Sequence, residues 1–89
     1  HKFAIIIKKE YGGYWMHKLF LRSSLENLPL RIIYESKSGV FSERIILVKK
    51  IDTSHVFAYD LNKKGYRTFI QNRILAAEPA ARLKRTSSA

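Results

Sequence analysis

Two arginines in this chain stand beside aromatic residues inside short apolar-alternating runs: Arg44 follows Phe41, and Arg67 sits between Tyr66 and Phe69. A guanidinium presents a planar fork of donors that fits phosphate oxygens, and an aromatic ring presents a flat face on which a base can stack. The two residue types side by side in strands point to nucleic-acid contacts. The competing use is pairing on the surface, because Glu35, Glu43 and Asp60 fall close enough in a compact β unit to hold these guanidiniums as ion pairs.

Catalytic chemistry has no comparable support. His1, His17 and His55 are scattered and none stands at a metal-ligand spacing. The carboxylates Glu10, Glu26, Glu35, Glu43, Asp52, Asp60 and Glu78 show no acid–base pair. His55 and Asp60 lie on one run at an odd spacing, so a regular strand puts them on opposite faces and excludes a dyad. The absence of cysteine removes disulfides, thiolate catalysis and thiolate metal sites together. The expectation is a protein that is not an enzyme and needs no cofactor or metal.

Seventeen Lys and Arg against seven Asp and Glu leave a net charge of +10. Such a balance speaks about partners, and it favours polyanions, chiefly nucleic acid. The plainer reading is a solvated basic surface that serves solubility. At 89 residues the chain is one domain with a small core. The apolar run Phe3 to Ile7 is too short for a signal segment or a membrane span, so a cytoplasmic protein with no membrane partner is expected.

The elements that must position the arginines are strands. Apolar alternation marks Leu30–Tyr34, Phe41–Ile51, Val56–Leu61 and Tyr66–Ile70, and a further run, Arg73–Ala77, follows Gln71-Asn72. Leu30, Ile32 and Tyr34 share one face while Arg31, Ile33 and Glu35 share the other. Gly39 and Gly65 close the turns between runs, where a glycine takes up positive φ. Five short strands in so small a unit require a strongly curved sheet, most simply a small barrel. Phe41, Phe57 and Phe69 are core candidates, and Tyr34 and Tyr59 place their rings in or over the core with the hydroxyl reaching a polar partner. Ahead of the strands, Leu19, Phe20 and Leu28 recur at helical spacing and predict a helix over Met16–Leu28, stopped by Pro29, that caps an open barrel end.

The ends are read separately. Residues 1–15 form an N-terminal extension with two readings. Phe3 to Lys9 has the composition of an extra strand; alternatively Gly12-Gly13 is translated ribosome-binding sequence ahead of an initiator Met16. Residues 16–78 make up the barrel domain with its leading helix, and residues 79–89 are a basic, flexible tail.

Four ordered motifs, "IIYESKSGVFSER" (Ile32 to Arg44), "FAYD" (Phe57 to Asp60), "YRTF" (Tyr66 to Phe69) and "NRIL" (Asn72 to Leu75), resemble the WYL domain of bacterial transcription regulators, and its short stand-alone relatives in particular. The resemblance spans about half the chain. It implies a mainly β fold: a short N-terminal helix and a five-stranded Sm-like, SH3-like barrel, with room for an added N-terminal strand. It also implies a ligand site lined by arginines that binds nucleic acid or oligonucleotides. Arg44, Arg67 and Arg73 match the family's arginine positions, and Tyr59 belongs to its Ala-Tyr element. The Trp-Tyr-Leu triplet that names the family falls on Ser54-His55-Val56, so His55 stands where the family has an aromatic. The function expected is non-enzymatic nucleic-acid or oligonucleotide binding in transcriptional regulation. The alternative is a protein-interaction or self-association module that pairs through the barrel edge, for instance as a homodimer.

Overall fold

The computed structural model describes residues 6–80, with side chains over 14–80. One helix, α1 (Lys8–Glu26), follows a two-residue strand, β1 (Ile6–Ile7). After it come β2 (Leu30–Glu35), β3 (Phe41–Ile51), β4 (His55–Asp60), β5 (Gly65–Ile70), a single 3-10 turn (Gln71–Arg73) and β6 (Ile74–Pro79). The strands form one antiparallel sheet in the order β1-β6-β2-β3-β4-β5. The 3-10 turn swings the chain from the β5 edge back to β6, which pairs with β2, so the sheet curls into a small barrel-like fold. Tyr34 spans the curl: its hydroxyl accepts the Ile70 N–H at 3.1 Å, and its ring meets Phe69 edge-on at 5.0 Å.

Alternation in the strands decides what fills the barrel. Leu30 and Ile32 of β2, Ile46 and Val48 of β3, Val56 and Ala58 of β4 and Phe69 of β5 point inward and are buried. Phe69 is a core residue, as expected, and Tyr34 takes the role expected of it. Phe41 and Phe57 do not: both side chains lie on the solvent side, 62% and 40% exposed. The interior of so tight a barrel admits Val56 and Ala58 on β4 and leaves the larger Phe57 and Tyr59 outside. A register shift between Val48 and Lys50 inserts Lys49 as an extra residue, which keeps Ile51 on the inward face against the core.

The helix differs from its expected limits. It begins at Lys8 and runs through Gly12-Gly13, whose low helix propensity hid the first turns. Its buried stripe is Met16, Phe20 and Ser23, with Leu19 and Leu28 partly buried beside it. It ends before Pro29, at Asn27, which adopts φ 54° while the Leu28 N–H bonds back to the Ser23 carbonyl at 3.2 Å. That is the left-handed termination of a Schellman motif. Ser23 then fastens this end to the sheet: its hydroxyl donates to the Leu28 carbonyl (2.6 Å) and accepts the Val48 N–H (3.1 Å) beside the bulge.

Ile6 and Ile7 pair with Ala77 and Ala76, so part of the anticipated extra strand exists; Phe3 to Ile5 and the tail from residue 81 lie outside the described residues. Gly39 has the expected positive φ (88°), but in the other turn the left-handed residue is Lys64 (φ 59°), and Gly65 opens β5. No helix among the described residues is long and apolar enough to cross a membrane.

Candidate functional site

Arg44 and Arg67 both lie on the inward-facing register, toward the barrel end where β4 turns into β5, flanking Asp60. Asp60 is fully buried, and Arg44 donates to its Oδ2 at 2.9 Å. Its Oδ1 accepts the backbone N–H groups of Asn62 (3.0 Å) and Lys63 (3.1 Å). Burial pushes the Asp60 carboxyl upward, but the Lys63 amide, the Arg44 guanidinium and the Asn62 amide outweigh it and hold the group below its ordinary value. Arg44 is thus committed to neutralising a buried carboxylate that shapes the β4–β5 turn. Arg73 is committed in a similar way, donating to the Ser36 carbonyl at 2.9 Å and tying the 3-10 turn to the β2–β3 turn.

Arg67 is different. It is exposed on β5, the last strand of the sheet, with its guanidinium 5.6 Å from the Phe69 ring centroid. No ion pair involves it among the described residues. Four of the acids are engaged elsewhere: Arg31 bridges Glu78 and Glu43, Arg22 pairs with Glu26, and Asp60 holds Arg44. Lys49, Lys50, Lys63 and Lys64 remain exposed with no acidic partner among the described residues. The excess positive charge therefore faces solvent around β3–β4–β5.

The outward face of β4 and β5 carries the rest. His55, Phe57 and Tyr59 project from β4, opposite Ile70, Thr68 and Tyr66 of β5. Phe57 and Tyr66 stack with ring centroids 5.4 Å apart and planes 5° from parallel, and Tyr59 meets Tyr66 edge-on at 5.0 Å. Tyr66 is 61% exposed, so this ring cluster borders water. Lys50 is the cross-strand neighbour of Phe57 on β3. At the β3–β4 turn Asp52 Oδ1 accepts the N–H groups of Ser54 and His55, and Ser54 Oγ and His55 Nδ1 are hydrogen-bonded at 2.8 Å.

The expected site residues thus divide. Tyr59 and His55 lie together on the outer face, Tyr59 over Tyr66 and not over the core; Arg67 stands at the neighbouring edge; Arg44 and Arg73 are held internally. Tyr66, named beside Arg67 in the sequence, joins the outer patch, and Phe57 and Lys50, which the sequence did not single out as contacts, complete it. The signal for Phe57 was present in His55-Val-Phe-Ala-Tyr59, where aromatics alternate with residues small enough for a narrow barrel interior. No metal-binding cluster occurs among the described residues.

No protein-family model matches the chain, and no curated protein matches it. Among solved structures it is similar to Proteasome accessory factor B/C (PafBC) of Arthrobacter aurescens, with a TM-score of 0.67 and 23% identity over 79% of this chain. The match spans 12% of the PafBC chain, so this chain corresponds to a small part of that protein. The likeness is one of fold, and it agrees with the small barrel-like sheet described above.

Proposed function

We propose that the chain is a cytoplasmic, non-enzymatic module that binds nucleic acid or an oligonucleotide on the outer face of β4 and β5, in a regulatory setting. The observation that carries this reading is the cluster of exposed Phe57 and Tyr66 with half-buried Tyr59, set among cations that have no acidic partner in the described residues. Single strands are the fitting ligand, since their bases are free to stack on aromatic faces while lysine and arginine follow the backbone. The regulatory setting rests on the motif resemblance to WYL domains, and the fold shared with part of PafBC agrees with the barrel component of it.

Fluorescence anisotropy with labelled single-stranded DNA and RNA at two salt concentrations tests the reading. Counterion release predicts a steep loss of affinity as salt rises. Binding that is absent at low salt, or insensitive to salt, would contradict it.

A second reading has its own observation. β5 ends the sheet, and an edge strand with an aromatic face can take up a strand from another chain, including a second copy. A complex that survives high salt would favour that use.

A further inference from the structure

Where β3 turns into β4, the aromatic stripe runs into a recess of about 420 Å³ lined by Lys50, Ile51, Asp52, His55, Phe57 and Thr68. It has room for a single base beside the Phe57 ring. Its chemistry is unlike that of the surrounding surface, because an acid stands at its rim. Asp52 Oδ1 is occupied by the N–H groups of Ser54 (2.9 Å) and His55 (2.7 Å) and lies 3.8 Å from His55 Nδ1, while both of those amides leave Oδ2 aside. Those two amides, that of Ser54 first, hold the carboxyl below its ordinary range, so it is an ionised acceptor near neutral pH. A phosphate entering here would meet that charge. A base edge carrying N–H donors would be met by an acceptor, with the Lys50 ammonium available as a donor to a neighbouring carbonyl.

The common bases differ in how they meet this pair. Guanine alone presents adjacent N1–H and N2–H donors followed by the O6 acceptor. Adenine and cytosine place an unprotonated ring nitrogen next to their amino group, and that lone pair would face the carboxylate. Thymine and uracil flank a single N3–H with two carbonyl oxygens, which the carboxylate repels. We infer that the recess is a guanine-selective subsite, in which Phe57 supports the base, Asp52 Oδ2 accepts from its Watson–Crick edge and Lys50 donates to O6. The inference rests on the nucleic-acid reading above and adds base selectivity to it.

The test compares, on the full chain, short labelled oligothymidylates carrying one internal guanine, adenine or cytosine with the unsubstituted strand. The guanine strand is expected to bind about tenfold more tightly than the others, a typical discrimination for one well-matched base contact. In Asp52→Asn the amide oxygen still accepts the Ser54 and His55 N–H groups, which preserves the turn, but an NH2 group replaces the free acceptor. The variant should melt like the parent and hold oligothymidylate within about threefold of parental affinity, while the guanine preference disappears. Oligothymidylate binding without a guanine preference in the parent would overturn the inference and leave the proposed function standing. A guanine preference that persists in Asp52→Asn would place the subsite elsewhere and overturn it too. If no strand binds even at low salt, the proposed function falls and the inference falls with it.

Discussion

The two faces of β4 use similar materials in opposite ways. Inward, Asp60 is fully buried and draws Arg44 and two turn amides onto itself, so the charges there are mutually satisfied. Outward, Phe57 and Tyr59 lie against Tyr66 at the water boundary, and Lys50 beside them has no acidic partner among the described residues. An arginine matching a ligand-site motif is therefore not by itself a ligand contact; what matters is whether its charge is already answered. The inner face holds the fold together, and the outer face has contacting capacity to offer a partner.

If that division is right, substitutions on the two faces should separate stability from binding. The largest effect belongs to Arg44→Ala, which strips the buried Asp60 of its cation and should destabilise the fold by about 3 to 5 kcal/mol. Urea denaturation near neutral pH measures this, and a loss under about 1 kcal/mol would mean that the turn amides alone satisfy the carboxylate. The same pair sets the acid limb of stability. The folded-state pKa of Asp60 is lowered, so its stabilisation is complete above the unfolded value of about 3.9 and is lost as pH falls through the lower folded value. Acid melting curves of the parent and of Arg44→Ala should converge toward low pH; parallel curves would remove Asp60 from the account.

Ser23→Ala should cost less, about 1 to 3 kcal/mol, because it leaves the buried Val48 N–H without its acceptor where the helix end meets the sheet. Thermal melting checks it, and an unchanged midpoint would show that the bulge beside Val48 relaxes to find another partner. Arg67→Ala should have the smallest effect on stability, within about 0.5 kcal/mol, since the side chain is exposed. It should still lower oligonucleotide affinity and flatten its salt dependence by roughly one counterion. An unaltered salt slope would remove Arg67 from the interface.

Much of this architecture was legible in the chain. Alternation in β2 is clear because Leu30, Ile32 and Tyr34 share one face, and Gly39 marks a turn that requires positive φ. The start of α1 was hidden by Gly12-Gly13, since local propensity argues against helix there. Which side of β4 faces inward could not be settled by period alone, because each set of alternate residues holds two large or small apolar side chains and one polar one; barrel width decides for Val56 and Ala58. Arg44 was recognisable as an arginine of interest, but its pairing with Asp60 depends on the β3–β4 register, which only the folded sheet reveals. Ser23 gave no sign, because its partner Val48 is distant in sequence and beside a bulge.

The double substitution Phe57→Ala/Tyr66→Ala removes the outer aromatic face from an otherwise intact barrel, with single-stranded oligonucleotide affinity read by anisotropy and folding by thermal melting of the same samples. Each stacked base is worth about 1 to 3 kcal/mol, so the pair should lower affinity at least tenfold while the protein still melts cooperatively. A cooperatively folded double variant that binds single strands as tightly as the parent would contradict the assignment of the outer face as the binding surface.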